Sequence, residues 1–243
     1  MSGRLEGKVA VVTGAGRGIG EAIALAYGRH GAAVCCVART LAEIQGTAAQ
    51  ITREGGHALA APADVRDRLA VERAFHEASR AFGGIDIVVI NAGVNRTHES
   101  VEAGDPEAWQ ETIETNLIGA YSCARAAIPH LRRRGAGKII TLGSGLGHRG
   151  IATRSAYACS KAGLWMLTRV LAQELAPYNV SVNELVPGPV DTSMNPGGSG
   201  TSQLGASEWL KSPEDVVPLA LFLAEQPDVG PTAQSFSLMR RDG

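Results

Sequence analysis

The chain has 243 residues, with 23 Lys plus Arg against 24 Asp plus Glu and a formal net charge of −1. That balance excludes a nucleic-acid partner held by its phosphate backbone, which requires a basic surface. Glycine is enriched at 30 residues, with 44% hydrophobic and only 5% aromatic residues and no G-X-Y period, which excludes collagen-like and disordered classes and points to an aliphatic α/β protein with tight turns.

Short β-branched runs alternate with amphipathic, helix-length segments along the chain. Lys8–Thr13 is predicted as the first strand and Gly18–His30 as the helix after it. Ala33–Ala38 and Leu41–Glu54 repeat the pair, as do His57–Ala61 and Asp67–Phe82. Ile85–Ile90 is the kind of apolar run expected of a strand buried on both faces. Asp105 caps and Pro106 opens a long helical stretch to about Arg134. Gly137–Leu142, Ala156–Ala176 and Val180–Val186 read as strand, helix and strand. Ser212-Pro213-Glu214-Asp215 opens another helix, and Gln234–Leu238 is predicted as a last strand. The alternation implies a Rossmann-type α/β fold. It would be a doubly wound parallel sheet in three α/β/α layers, a single domain over residues 1–243. The pattern breaks at Thr192–Gly205, which contains Asn195-Pro196-Gly197-Gly198-Ser199-Gly200. With its flanks, about 190–212, this is expected to be a mobile substrate loop; a surface insertion is the alternative.

Cys35, Cys36, Cys123 and Cys159 form no CxxC pair, and the six histidines show no HxH or HExxH spacing. Neither a metal site nor a disulfide scaffold is therefore expected. No run of about 18 apolar residues occurs, and Val9–Val12 is too short for a signal-peptide core, so a cytoplasmic protein with no membrane partner is expected.

Chemistry is concentrated in two motifs. Thr13-Gly14-Ala15-Gly16-Arg17-Gly18-Ile19-Gly20 lies where the first strand turns into the first helix. Such a turn lets the backbone approach a pyrophosphate, and the helix N-terminus adds free N–H groups and a positive dipole end. At the end of the second strand, Val37-Ala38-Arg39-Thr40 lacks the acid that would bind a ribose 2′-OH and carries a guanidinium instead. Arg39, with Arg17 reaching the same region, suits a 2′-phosphate, so NADP(H) is favoured and NAD(H) is the alternative. A plain solvated helix start is the other reading of Arg39. The second motif is Tyr157-Ala158-Cys159-Ser160-Lys161. Tyr157 and Lys161 are i and i+4 and share a helix face. An ammonium beside a phenol favours the phenolate, and about three pKa units would bring Tyr157 near neutrality as an acid or base.

These residues resemble the short-chain dehydrogenase/reductase superfamily, in its branch of roughly 250 residues. The glycine turn matches the family's TGxxxGxG, and Tyr157 and Lys161 match its YxxxK. Ser144, 13 residues before Tyr157, falls where the family has its catalytic serine, and Asn116 where it has its active-site asparagine. Asp64-Val65 matches the adenine edge and Asn91-Ala92-Gly93 most of NNAG. Pro187-Gly188, followed by Val190 and Thr192, matches the stretch that meets the nicotinamide. The match covers essentially the whole chain in order. The resemblance implies hydride transfer between NADP(H) and a small carbonyl or alcohol substrate. In it, Tyr157 exchanges the proton, Lys161 lowers its pKa and holds ribose hydroxyls, Ser144 orients the carbonyl, and Asn116 holds a helix kink and a water. It also implies a homo-oligomer, tetramer or dimer.

Some positions depart from the pattern. Ile90 replaces the first Asn of NNAG, Gly143 stands where a second serine is common, and Glu184 stands where a small residue is usual. The C-terminal segment from Ser235 to Arg241 lacks the common VDGG ending. Glu184 is expected at an exposed strand edge or in a subunit contact. Substrate is expected near Ser144, Tyr157, Val94, His148 and Met194, with Trp209 and Leu210 capping the pocket. A serine hydrolase is excluded because Leu142 and Leu146 flank Ser144 in place of the GxSxG glycines. A non-catalytic NADP-binding sensor or scaffold and an NAD-dependent alcohol or sugar-alcohol dehydrogenase stay open.

Overall fold

The computed structural model describes residues 3–198 and 208–239. Among these, seven strands form one parallel sheet in the order β3-β2-β1-β4-β5-β6-β7. The strands are β1 Val9–Thr13, β2 Ala33–Ala38, β3 His57–Pro62, β4 Ile87–Ile90, β5 Gly137–Leu142, β6 Val180–Val186 and β7 Ser235–Ser237. The helices are α1 Gly18–Arg29, α2 Leu41–Arg53, α3 Arg68–Phe82, α4 Pro106–Ile113, α5 Gly119–Arg134, α6 Ser155–Leu175 and α7 Val217–Glu225. No helix among the described residues is long and apolar enough to cross a membrane.

The central strands β1, β4, β5 and β6 are buried at every position, which explains the aliphatic character of β1 and β4, while β5 and β6 also bury polar side chains such as Thr141, Asn183 and Glu184. Two cores flank the sheet. One joins Val71 and Phe75 of α3, Cys123 and Leu131 of α5 and Leu164 and Leu171 of α6 to one sheet face. The other joins Ile23 and Tyr27 of α1, Ile44 and Ile51 of α2 and Leu221 of α7 to the opposite face. Tyr27 ties α1 to α7 by donating its hydroxyl to the Ala220 carbonyl at 2.9 Å. Ile90, in place of an asparagine, is buried in the first core.

The expected elements appear with small shifts at their ends. Asp67 caps α3 from outside, accepting the N–H groups of Leu69 and Ala70 at 2.9 and 3.0 Å. Ser212 and Asp215 form a capping box, but the first turn after it is a 3₁₀ helix, Pro213–Val216, before α7 begins. The larger difference is in the long helix expected up to Arg134. It is divided by a π-helical turn, Glu114–Ile118, between α4 and α5. Asn116 in that turn accepts the Val94 N–H and donates to the Val94 carbonyl, both at 2.8 Å, and the turn widens to deliver it there. The basic run closing α5 is used within the chain. Arg132 stacks on Tyr178, Arg133 contacts His130 at 2.8 Å, and Arg134 pairs with Asp86 at 3.2 Å.

Candidate active site

β1 is followed in sequence by β2 on one side of the sheet, while β4 pairs on its other side. The chain therefore reverses direction across the sheet at β1, and a cleft opens beyond the carboxyl ends of these strands. Two adjoining cavities occupy this edge and share Ile19, Thr192 and Met194.

The first cavity is lined by Gly14, Arg17, Gly18, Ile19, Arg39, Asp64, Val65, Asn91, Ala92, Gly93 and Thr192, as the glycine turn and its associated motifs led us to expect. The turn is shaped from outside. Asn91 donates its side-chain amide to the carbonyls of Thr13 at 2.9 Å and Gly14 at 3.3 Å, and Thr13 Oγ1 accepts the N–H groups of Asn91 and Ala92 at 3.0 and 3.1 Å. Gly20 is needed for this closeness, because a β-carbon there would overlap the Gly14 carbonyl oxygen and Asn91 Nδ2. Asp64 is gripped by Arg66, whose guanidinium holds its carboxyl below the ordinary value.

One group in this cavity escaped the sequence reading. Glu43, in the first turn of α2, lines the same end as Arg17 and Arg39 and lies 4.0 Å from Arg17. The absence of an acid at the end of β2 is thus partly offset by an acid four residues beyond Arg39. A helix turn after that position is the sequence signal that would have found it.

The second cavity is lined by Ser144, Tyr157, Pro187, Gly188, Val190, Thr192 and Met194 among the expected residues. Asn95, His98, Ile151, Arg154 and Met239 also line it, and sequence reasoning had not picked them out. His98 and Arg154 contact one another. Val94 lines the first cavity instead. Trp209 and Leu210 lie outside the second cavity's lining, 44% and 40% exposed. Of the expected loop, residues 199–207 lie outside the described residues. Its flanks are joined by a parallel bridge between Val190 and Lys211, and Asp191 N–H donates to the Lys211 carbonyl at 2.8 Å.

Ser144 follows β5 and caps a short 3₁₀ turn, Gly145–Gly147, where it accepts the Leu146 N–H at 3.2 Å. Tyr157 comes from the first turn of α6 and lines the second cavity together with Ser144. Burial pushes the Tyr157 phenol above its ordinary value, and the Ser144 hydroxyl opposes that. The lowering expected from Lys161 is not the main influence here. Its Nζ is 5.6 Å from the Tyr157 ring centroid and donates to the Leu142 carbonyl at 2.7 Å. Burial lowers Lys161 itself to about 8, and Glu184 works against that. Asn116 and Lys161 are buried behind the cavity wall, 1% and 5% exposed, where Asn116 also donates to Ser160 Oγ at 3.0 Å.

Glu184 is at neither an exposed edge nor an outer surface. It is fully buried on β6, bonded to His148 and Ser235. His148 is held by this contact with Glu184 and does not line the second cavity. The burial follows from the position of β6 inside the sheet, paired to β5 and β7 on its two sides.

A nicotinamide dinucleotide fits this cleft. The glycine turn offers backbone at close range, and the α1 N-terminus points into it. Thr115 Oγ1 in the first cavity and Asn95 Oδ1 in the second are buried without a hydrogen-bond partner, as groups awaiting a polar ligand are.

Comparison with known proteins agrees with this geometry. A family model described as short chain dehydrogenase matches residues 8–200. A short-chain type dehydrogenase/reductase from Picea abies is 37% identical over 90% of this chain and 86% of its own length. A short chain dehydrogenase from Burkholderia cenocepacia, solved with NADP, is 34% identical, covers 97% of this chain and 98% of its own, and superposes with a TM-score of 0.87. Carveol dehydrogenase from Mycobacterium avium, solved with NAD, is 27% identical, covers 97% of both chains and has a TM-score of 0.90.

Proposed function

The chain belongs to the short-chain dehydrogenase family, and from that premise we propose that it is an NADP(H)-dependent oxidoreductase interconverting a small carbonyl compound and its alcohol. The observation that carries this reading is that Ser144 and Tyr157 line one cavity, which adjoins the glycine-turn cleft through Ile19, Thr192 and Met194. When bound, the cofactor supplies or accepts the hydride at the substrate carbon. In the reducing direction Tyr157 gives its hydroxyl proton to the substrate oxygen, and Ser144 donates a hydrogen bond that orients that oxygen. Lys161 provides a positive charge behind Tyr157, its Nζ held by the Leu142 carbonyl. Asn116 anchors the π-helical turn against Val94 so that this wall of the site keeps its shape. Residues 190–212 serve as the substrate loop. A homo-oligomer is the expected assembly, supported by exposed apolar side chains at Ile118 of the π-helical turn, Tyr121 of α5 and Met166 and Val170 of α6.

The test is NADPH oxidation followed at 340 nm against a panel of ketones. Turnover of any ketone supports the reading. Tight NADPH binding with no turnover of ketones or, in reverse, alcohols would indicate a sensor instead.

NAD(H) is a second reading, favoured by Glu43, whose carboxylate can accept a ribose 2′-OH. The two arginines outnumber it and favour the 2′-phosphate. Arg39→Ala should therefore raise the Kd for NADPH about tenfold, the loss of one charge-assisted hydrogen bond, with little change for NADH. Glu43→Gln should tighten NADPH. Equal effects on both cofactors would remove the 2′-phosphate assignment.

Lys161 also sets a pH limit. It is an ammonium below about 8 and neutral above, while the buried Tyr157 stays a phenol across the same range. Reduction should therefore decline as pH rises through about 8, which a kcat profile from pH 6 to 10 would check. A profile flat to pH 10 would contradict it.

A further inference from the structure

Four features of the sequence meet at one point in the fold. Glu184 lies on β6, in register with Thr141 on β5 and Ser235 on β7. Its Oε2 accepts the Ser235 hydroxyl at 2.5 Å and contacts His148 Nε2 at 2.8 Å. Its side chain lies against Gly143, where an added β-carbon would coincide with Oε1. Gly143 thus replaces the serine common in the family because Glu184 occupies that space. His148 ends the turn that Ser144 begins, its N–H bonded to the Gly145 carbonyl at 3.1 Å. Its ring packs edge-on to Trp165 of α6 at 4.9 Å. On the other side, Lys161 holds the Leu142 carbonyl. The carboxylate and the ammonium therefore flank the Leu142–Gly143 peptide that leads into Ser144.

We propose that Glu184 is a positioning residue for the reaction: through His148 it fixes the turn that presents Ser144, and it sets a carboxylate opposite Lys161 across the Leu142–Gly143 peptide. This rests on the carbonyl–alcohol reading above. The groups facing Glu184 are His148 from the turn, Lys161 from α6, and the uncharged Thr141 and Ser235 from the adjoining strands. Lys161 is faced by the Tyr157 ring and by Glu184. Arg169 stacks on Trp165, 5.1 Å from the ring centroid. Glu184 Oε1 has no hydrogen-bond partner although it is buried. A clamp alone would be served by a neutral amide, without the cost of a buried, half-paired carboxylate.

The test is Glu184→Gln, which keeps the size and both hydrogen bonds. Two readouts are followed from pH 6 to 10: kcat for ketone reduction, and NADPH affinity by fluorescence quenching, which requires no turnover. We expect the alkaline limb of both to move about one unit toward acid. The loss in kcat would then be about tenfold at pH 9 and much smaller at pH 6, where acid restores the ammonium. Glu184→Asp, which keeps the charge, should return most of the limb. Gly143→Ser alone should fold poorly, whereas Gly143→Ser with Glu184→Ala should recover the melting temperature and keep the displaced limb. Profiles of Glu184→Gln that superimpose on wild type, or that fall by the same factor at every pH, would overturn the charge role. If the wild type reduces no ketone but the limb of NADPH affinity still shifts in Glu184→Gln, the carbonyl reading fails and the Glu184 assignment stands.

Discussion

Replacing Tyr157 with phenylalanine should lower kcat for ketone reduction by about 100- to 10,000-fold, the usual contribution of a placed general acid. NADPH affinity should change by less than about threefold. The substitution removes only the hydroxyl and leaves the ring in its place at the start of α6, so the fold has no reason to change. What disappears is the transferable proton in the cavity that Ser144 also lines. Neither Lys161 nor Ser144 can take over. Lys161 is committed to the Leu142 carbonyl behind the cavity wall, and a serine hydroxyl is a far weaker acid. Steady-state rates at 340 nm with fluorescence titration of NADPH separate the two effects. A Tyr157→Phe variant turning over within tenfold of wild type would assign the proton to another group.

The second large effect is expected at Gly20. A β-carbon there meets backbone at Gly14 and the amide of Asn91, and neither is the free end of a flexible side chain. The turn must shift, at a cost of about 1–3 kcal/mol for overpacking. Gly20→Ala should therefore lower the melting temperature by roughly 2–10 °C in a chain of this size. NADPH affinity should fall at least tenfold, because the displaced N–H groups are those aimed at the pyrophosphate. The stabilisation that saturating NADPH gives to unfolding should shrink accordingly. Gly46→Ala is the control. It lies in α2 with nothing within 4 Å of the added atom, and should be neutral or slightly stabilising. A Gly20→Ala variant with melting and affinity both unchanged would refute the close-packed turn.

Local composition made the layered fold readable. Aliphatic runs such as Val9–Val12 can only be strands covered on both faces, and glycines at 14, 18 and 20 mark where the first strand must turn. Ser144, Tyr157 and Lys161 were readable because their spacing is itself the signal. The π-helical turn was not, since its residues suit an α-helix equally well and only the two bonds from Asn116 to Val94, 22 positions away, select it. Glu43 was missed because its place depends on how α2 docks beneath Gly16. Glu184 was misplaced for a similar reason. A lone acid in a strand reads as solvent-facing, and its partners at 143, 148 and 235 are gathered only by the sheet.

The hydrogen bonds from Asn91 to Thr13 and Gly14 have a consequence for biosynthesis. The side chain that shapes the glycine turn is translated 78 positions after Thr13. Between those moments α1, β2, α2, β3 and α3 emerge, and β1 has only β2 as a neighbour. A nascent chain therefore carries the glycine turn without the Asn91 contacts that shape it until β4 docks on the free side of β1. Nucleotide in the cell can reward only the chain that has already joined its two halves. A dinucleotide held by that turn, as proposed, would therefore stabilise only chains in which β4 has docked on β1.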